Sequence, residues 1–294
     1  MRTLWLLLAS VSFLLISGCA SQTSSEVQEE DILKIVAMNT TLADITQNVA
    51  GEGVEIEVLI PPGADLHTFQ PTPQDVAKIA DSHLLIANGA GLEEWLQELI
   101  DNAGGERMVV EAAQGLEEAT DRPGDPHFWL DPNHVIHYAQ QIRDGLIALD
   151  PRGESKYGRN TVEYVDQLED LDRWIKEQVA VIPPEARLLV TNHESFGYFA
   201  DRYGFEIVGT IIPSVSTGSS PSAQQMVALV EAINASNTRA IFLEAGSNPQ
   251  LAEQLADEAG ITVIADLRTQ PLFPGEGYIE MMMYNARVIV DALR

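Results

Sequence analysis

Six histidines and a single cysteine are the side chains of this 294-residue sequence best suited to holding or activating something. One thiolate cannot build a structural zinc site of the cysteine type, so any transition metal must be held by His, Asp or Glu. Four positions stand out. His67 lies in the loop Gly63-Ala64-Asp65-Leu66-His67, and His127 lies in Asp125-Pro126-His127-Phe128-Trp129-Leu130-Asp131-Pro132, whose two prolines mark a loop ahead of a helix. His193 comes just after the apolar run 188–191, and Asp266 directly after the run 262–265. A lone loop histidine is ordinarily just solvated or hydrogen-bonded. Placed together at strand ends, three imidazoles and one carboxylate make a complete four-coordinate shell for zinc.

Other candidates read more plainly. Glu244 ends the apolar run 240–244 and is placed to orient a ligating imidazole, or to replace Asp266 as a direct ligand. His134 and His137, one helical turn apart, read as a helix face, and His83 as a strand-edge residue. Phe128 and Trp129 read as cleft packing. Met281, Met282 and Met283 read as core of a terminal helix, because consecutive residues on a helix cannot face one point.

The elements that must position these residues alternate. Strands are expected over 32–38, 54–60, 84–87 and 108–111, with helices over 42–49, 74–81, 92–100 and 132–149. That rhythm of strand, helix, strand is the signature of a parallel sheet with crossover helices. From 151 to 181 the pattern becomes one long amphipathic helix, with Tyr157, Thr161, Tyr164, Leu168, Leu171, Ile175 and Val179 on one face, halted by Pro183-Pro184. The second half then repeats the rhythm. Its strands are expected over 188–191, 207–211, 240–244 and 262–265, and its helices over 196–203, 223–235, 249–259 and 277–293. Pro71-Thr72-Pro73-Gln74 and Pro221-Ser222-Ala223-Gln224 even open corresponding helices in the two halves. The expected architecture is α/β: two similar lobes, each a mainly parallel sheet with flanking helices, at 32–150 and 183–294. One long helix at 151–182 bridges them, with the site in the cleft between. Ligands of such sheets sit at the carboxyl ends of the strands.

Composition narrows the class. Seventeen Lys and Arg stand against 44 Asp and Glu, a formal net charge of −27 that repels phosphate and argues against nucleic acid as a partner. Residue Arg2, an apolar run over 4–16 and the small residues Ser17 and Gly18 before Cys19 form a secretory signal, too short for a spanning helix. Ile16-Ser17-Gly18-Cys19 resembles the bacterial lipobox, which implies a signal peptide over 1–19, a lipid on Cys19 and an extracytoplasmic, membrane-anchored protein. The polar stretch 20–31 reads as a tether.

With these residues in view, the sequence is similar to the zinc and manganese solute-binding lipoproteins of ABC importers. Gly63 to His67 followed by Gln70-Pro71-Thr72-Pro73 resembles their first metal loop, and 125–132 the second. Thr191-Asn192-His193-Glu194-Ser195-Phe196-Gly197-Tyr198-Phe199 resembles the third, and Phe242-Leu243-Glu244 with Asn248-Pro249 the stretch preceding the fourth. The resemblance covers essentially the whole chain after the signal. It implies that His67, His127, His193 and Asp266 hold a metal, that the partner is an ABC permease, and that the protein is a monomeric carrier rather than an enzyme. Two features depart from the family pattern: Leu66 stands where Pro is usual, and the short acidic segment 115–124 has no histidine. Manganese-specific members commonly carry Glu at the third position; the imidazole of His193 is a softer donor and puts zinc ahead of manganese or iron.

A zinc-dependent hydrolase is the lower alternative, since three imidazoles, a carboxylate and a water also describe catalytic zinc. The sequence has no His-Glu-x-x-His helix, and Ser195 is not in a nucleophile elbow. An adhesin without a metal role would leave the loop histidines unexplained. Unperturbed imidazoles would lose metal to protons below a pH of about 6.5.

Overall fold

The computed structural model describes residues 32–270 and 273–294; the signal peptide, Cys19 and the tether lie outside the described residues. Two four-stranded parallel sheets carry the fold. The first contains β1 (Leu33–Ala37), β2 (Val54–Val58), β3 (Leu84–Ala87) and β4 (Met108–Glu111) in the order β2-β1-β3-β4. The second contains β5 (Leu188–His193), β6 (Glu206–Ile212), β7 (Ala240–Glu244) and β8 (Thr262–Leu267) in the order β6-β5-β7-β8. The second sheet repeats the strand order of the first, so the duplicated rhythm of the sequence is a duplicated topology.

Helices α1 (Thr40–Ala50), α2 (Pro73–Asp81), α3 (Leu96–Ala103) and α4 (Pro132–Leu149) belong to the first half. The long helix α5 (Glu154–Val179) lies between the two sheets in sequence, and α6 (Gly197–Tyr203), α7 (Ala223–Ala235), α8 (Gln250–Ala259) and α9 (Tyr278–Leu293) follow. Local chemistry sets their starts. Asn39 accepts the Leu42 amide at the head of α1, and Asp131 accepts the Asn133 amide ahead of Pro132 in α4. The matching helices α2 and α7 both open on capping boxes, Thr72 with Asp75 and Ser222 with Gln225. Helix α3 starts four residues later than expected, because Leu92 to Trp95 form turns behind the left-handed residues Gly89, Ala90 and Gly91.

All seven residues expected on the inward face of α5 are buried: Tyr157, Thr161, Tyr164, Leu168, Leu171, Ile175 and Val179. This helix packs on α1, α4 and α9, so the C-terminal helix returns across the molecule to the first half. The main core runs through both halves, from Ile35 and Leu85 through Leu168 to Phe199 and Met282. A smaller core of Val190, Leu229, Ile241 and Leu255 fills the space between the second sheet, α7 and α8. Met281 and Met282 are buried and Met283 packs against the main core. No helix among the described residues is long and apolar enough to cross a membrane.

Helix α4 leads directly out of the His127 loop, and its seat on β4 depends on Gly145. A β-carbon built there would lie 2.3 Å from Cγ2 of Val110. Glycine to alanine inside a helix ordinarily gains about 1 kcal/mol; here the stiff, branched neighbour reverses the sign. Gly145→Ala is expected to destabilise by about 1–3 kcal/mol, read as a lower thermal midpoint, and a raised midpoint would refute the packing argument.

Candidate metal centre

His67 follows β2, His127 precedes α4 and His193 is the last residue of β5, which runs two residues further than expected from sequence. Their side chains converge. The Nε2 atoms of His67 and His127 are 3.1 Å apart and those of His127 and His193 are 3.2 Å apart, with ring centroids 5.0–5.3 Å from one another. Nitrogens a little over 3 Å apart and aimed at one another are spaced as a shared first-row divalent ion would set them. Among the described residues these three are the one group of His, Cys, Asp and Glu side chains close enough to hold an ion together.

Each imidazole has a carboxylate behind it. The Nδ1 of His127 lies 2.8 Å from Oδ1 of Asp125, and the Nδ1 of His193 lies 2.6 Å from Oε1 of Glu244, which also accepts the Ser195 hydroxyl. These contacts fix each ring so that Nε2 points into the site and raise its donor strength. Asp65 acts on the backbone instead: its Oδ1 accepts the amides of His67 and Thr68. Asp125 Oδ1 accepts the amide of His127 in the same way, so two loops use one Asp-x-His turn. Leu66, where proline is usual in the resembled family, is buried and anchors the first loop by packing.

The second loop is built into its surroundings. The buried amide of Asn88 donates to the carbonyl of Pro126, and its Oδ1 accepts the Tyr138 hydroxyl at 2.5 Å. Beside it the buried carboxylate of Glu93 accepts the amides of Asn88 and Gly89, and burial pushes it up to about 7. From the other half of the chain, Tyr198 donates to the carbonyl of Asp125 and stacks on Phe128 at 4.5 Å. Arg122 makes a two-pronged pair with Asp201, and Trp129 Nε1 donates to the carbonyl of Thr269. Phe128 and Trp129 are therefore packing, as expected.

Asp266, expected as the fourth ligand, lies apart from the three imidazoles in this structure. Strand β8 continues through Leu267, and between the pairs Phe242 with Ile264 and Glu244 with Leu267 it holds one more residue than β7. That bulge reverses which side chain faces inward. Leu267 is buried and lines the cavity beside the imidazoles, whereas Asp266 is exposed and accepts the hydroxyl of Tyr284 on α9. Glu244, on the Nδ1 side of His193, orients that ring rather than facing the Nε2 atoms. His134 rests on the carbonyl of Phe128 and against Tyr198, and His137 on the carbonyl of Gln114. His83 accepts the backbone amide of Lys34, as a strand-edge residue does.

The imidazoles open onto a cavity of about 440 Å³ lined also by Asp65, Trp129, Asn192, Glu244 and Gln270. Residues 35–292 match the family described as zinc-uptake complex component A, periplasmic. The chain belongs to that family. The family consists of solute-binding proteins, not enzymes, which removes the hydrolase alternative. A manganese-binding lipoprotein, MntA, of Halalkalibacterium halodurans is 31% identical over 95% of each chain. The manganese substrate-binding lipoprotein PsaA of Streptococcus pneumoniae is 30% identical over 94% of this chain and 93% of its own. Among solved structures, the periplasmic zinc-binding protein TroA of Treponema pallidum superposes with a TM-score of 0.81 at 29% identity, covering 89% of this chain and 99% of its own.

Protonation divides the three converging rings. Burial, reinforced by the two neighbouring imidazoles, holds His67 down at about 4, and burial also lowers His127 against the pull of Asp125. Burial lowers His193 too, but the charge and hydrogen bond of Glu244 outweigh it and raise that ring above its ordinary value. At neutral pH two rings are already free of protons and one competes for its proton with a metal. Metal affinity is therefore expected to fall about tenfold per pH unit below the His193 pKa, one proton per ion, and to steepen at lower pH as His127 and then His67 take up protons. Isothermal titration at several pH values checks this; a slope of three protons per ion at pH 6 would contradict it.

Proposed function

We propose that this protein captures a divalent transition metal outside the cytoplasm, zinc ahead of manganese or iron, and delivers it to the permease of an ABC importer. His67, His127 and His193 are the ligands. The observation that carries the reading is the convergence of three Nε2 atoms, two of them on rings fixed from behind by carboxylates. Three imidazoles with no directly placed carboxylate favour a borderline ion such as zinc over harder manganese. The manganese named for MntA and PsaA and the zinc named for TroA make the metal the first thing to measure.

The ion would arrive hydrated and exchange water for imidazole, with the charge of Asp125 and Glu244 stabilising it through the rings. The fourth position faces the cavity; Asp266 could reach it only by giving up Tyr284 and undoing the bulge in β8. The segments 32–150 and 183–294 act as lobes about the helix region 151–182, and a continuous helix restricts how far they part. A lipid on Cys19 would hold the monomeric carrier at the membrane beside its permease.

Metal content and competition titration test this. One zinc per chain, displaced weakly by manganese, is expected. His127→Ala should cost at least a hundredfold in affinity, whereas Asp266→Ala should cost less than tenfold. No bound metal would sink the reading, and a loss for Asp266→Ala as large as for His127→Ala would restore that carboxylate as a ligand. His193→Glu is expected to shift preference toward manganese.

A further inference from the structure

The three imidazoles are not held with equal firmness. His193 belongs to β5, and the His127 loop is tied to the same half of the chain by Tyr198, by the Arg122–Asp201 pair and by the Phe128–Tyr198 stack. Those two rings share a common frame. His67 sits on a loop from the other half, is the least buried of the three, and meets the second half through a few polar bonds. The Thr217 hydroxyl, in the segment between β6 and α7, donates at 2.6 Å to Oδ2 of Asp65. Gln270 Nε2 donates at 3.0 Å to the carbonyl of Ala64, while its Oε1 accepts the Thr40 hydroxyl.

The Asp65 carboxylate joins these facts. One of its oxygens takes the amides of His67 and Thr68 and so shapes the turn that presents the imidazole; the other takes Thr217 from across the cleft. A hydroxyl on one half thus holds the carboxylate that positions a ligand on the other. We infer that Thr217 is a positioning residue for metal retention: its bond to Asp65 latches the His67 loop over the ion, and release proceeds by withdrawal of His67 while His127 and His193 stay together. Gln270 is a second, buried strap on the same loop. This rests on the metal-binding reading above. The bond is charge-assisted but half-exposed, so it slows dissociation rather than creating the site.

Dissociation of zinc from the purified protein, followed by stopped flow into excess chelator, tests the latch with Thr217→Val and Thr217→Ser. Valine keeps the shape and removes the donor; serine keeps the donor. Thr217→Val is expected to release zinc about tenfold faster, a change of ~1.4 kcal/mol. Thr217→Ser should stay within about twofold of the parent, with one zinc per chain and an unchanged melting temperature of the metal-free protein in both variants. Equal rates for Val and parent would overturn the inference, as would equal acceleration by Val and Ser. A metal-free Thr217→Val protein that melts lower, with the parent rate of release, would assign Thr217 to stability alone. A parent that takes up no zinc or manganese would instead refute the metal-binding reading, and the latch with it.

Discussion

Three neutral imidazole nitrogens must be kept a little over 3 Å apart and aimed at one point, and most of the polar structure around them exists to meet that demand. Left alone, three such rings repel through their lone pairs and would turn aside into solvent. Burial removes the solvent, and it also keeps His67 and His127 unprotonated, which is the state that binds metal. Burial by itself would leave the Nδ1 atoms without partners. Asp125 and Glu244 supply them for two rings; Asp125 is buried, Glu244 is largely covered, and each accepts a further hydrogen bond. The cost of covering two carboxylates is offset by the imidazoles they face and, for Glu244, by the Ser195 hydroxyl.

The folding of the chain makes this arrangement possible because both sheets share one strand order. The loops after the corresponding strands β2 and β6 then meet across one cleft, where Thr217 reaches Asp65 beside His67, and His193 ends β5, the counterpart of β1. The His127 segment is the exception to the duplication. It lies between the last strand of the first sheet and α4, and it is held by contacts from both halves: Asn88 and Tyr138 on one side, Tyr198 and Asp201 on the other. Helix α9 adds a further tie, since its first residue Tyr278 donates its hydroxyl to the carbonyl of Trp129 and its amide to Asp44 of α1.

How much of this could be read from sequence depended on the range of the interaction. Alternation of apolar runs gave β3, β4, α4, α7 and β7 at their observed bounds, because periodicity and caps are local. The three histidines were legible because strand ends are local too. The side that Asp266 faces has a non-local cause: a bulge against β7 decides it, and nothing in the run 262–265 announces it. The Asp-x-His spacing shared by Asp65 with His67 and Asp125 with His127 was visible and went unused; it marks a carboxylate accepting the histidine's own amide. Tyr198, Thr217 and Gln270 lie 73, 152 and 206 residues from the atoms they hold, beyond any pattern a window could detect.

The same contrast of range bears on how such a protein can bind tightly and still let go. A site made wholly of covalently adjacent or deeply packed groups would retain its ion until the core opened. Here the frame of His127 and His193 is fixed by stacking and buried hydrogen bonds, while the His67 loop is pinned by Leu66 on one side and by polar bonds across the cleft on the other. Polar bonds at a half-exposed edge exchange with water at little net cost, whereas a stacked, buried contact does not. The asymmetry places the weak step at one loop, leaving the long helix and the shared core undisturbed as the ion leaves.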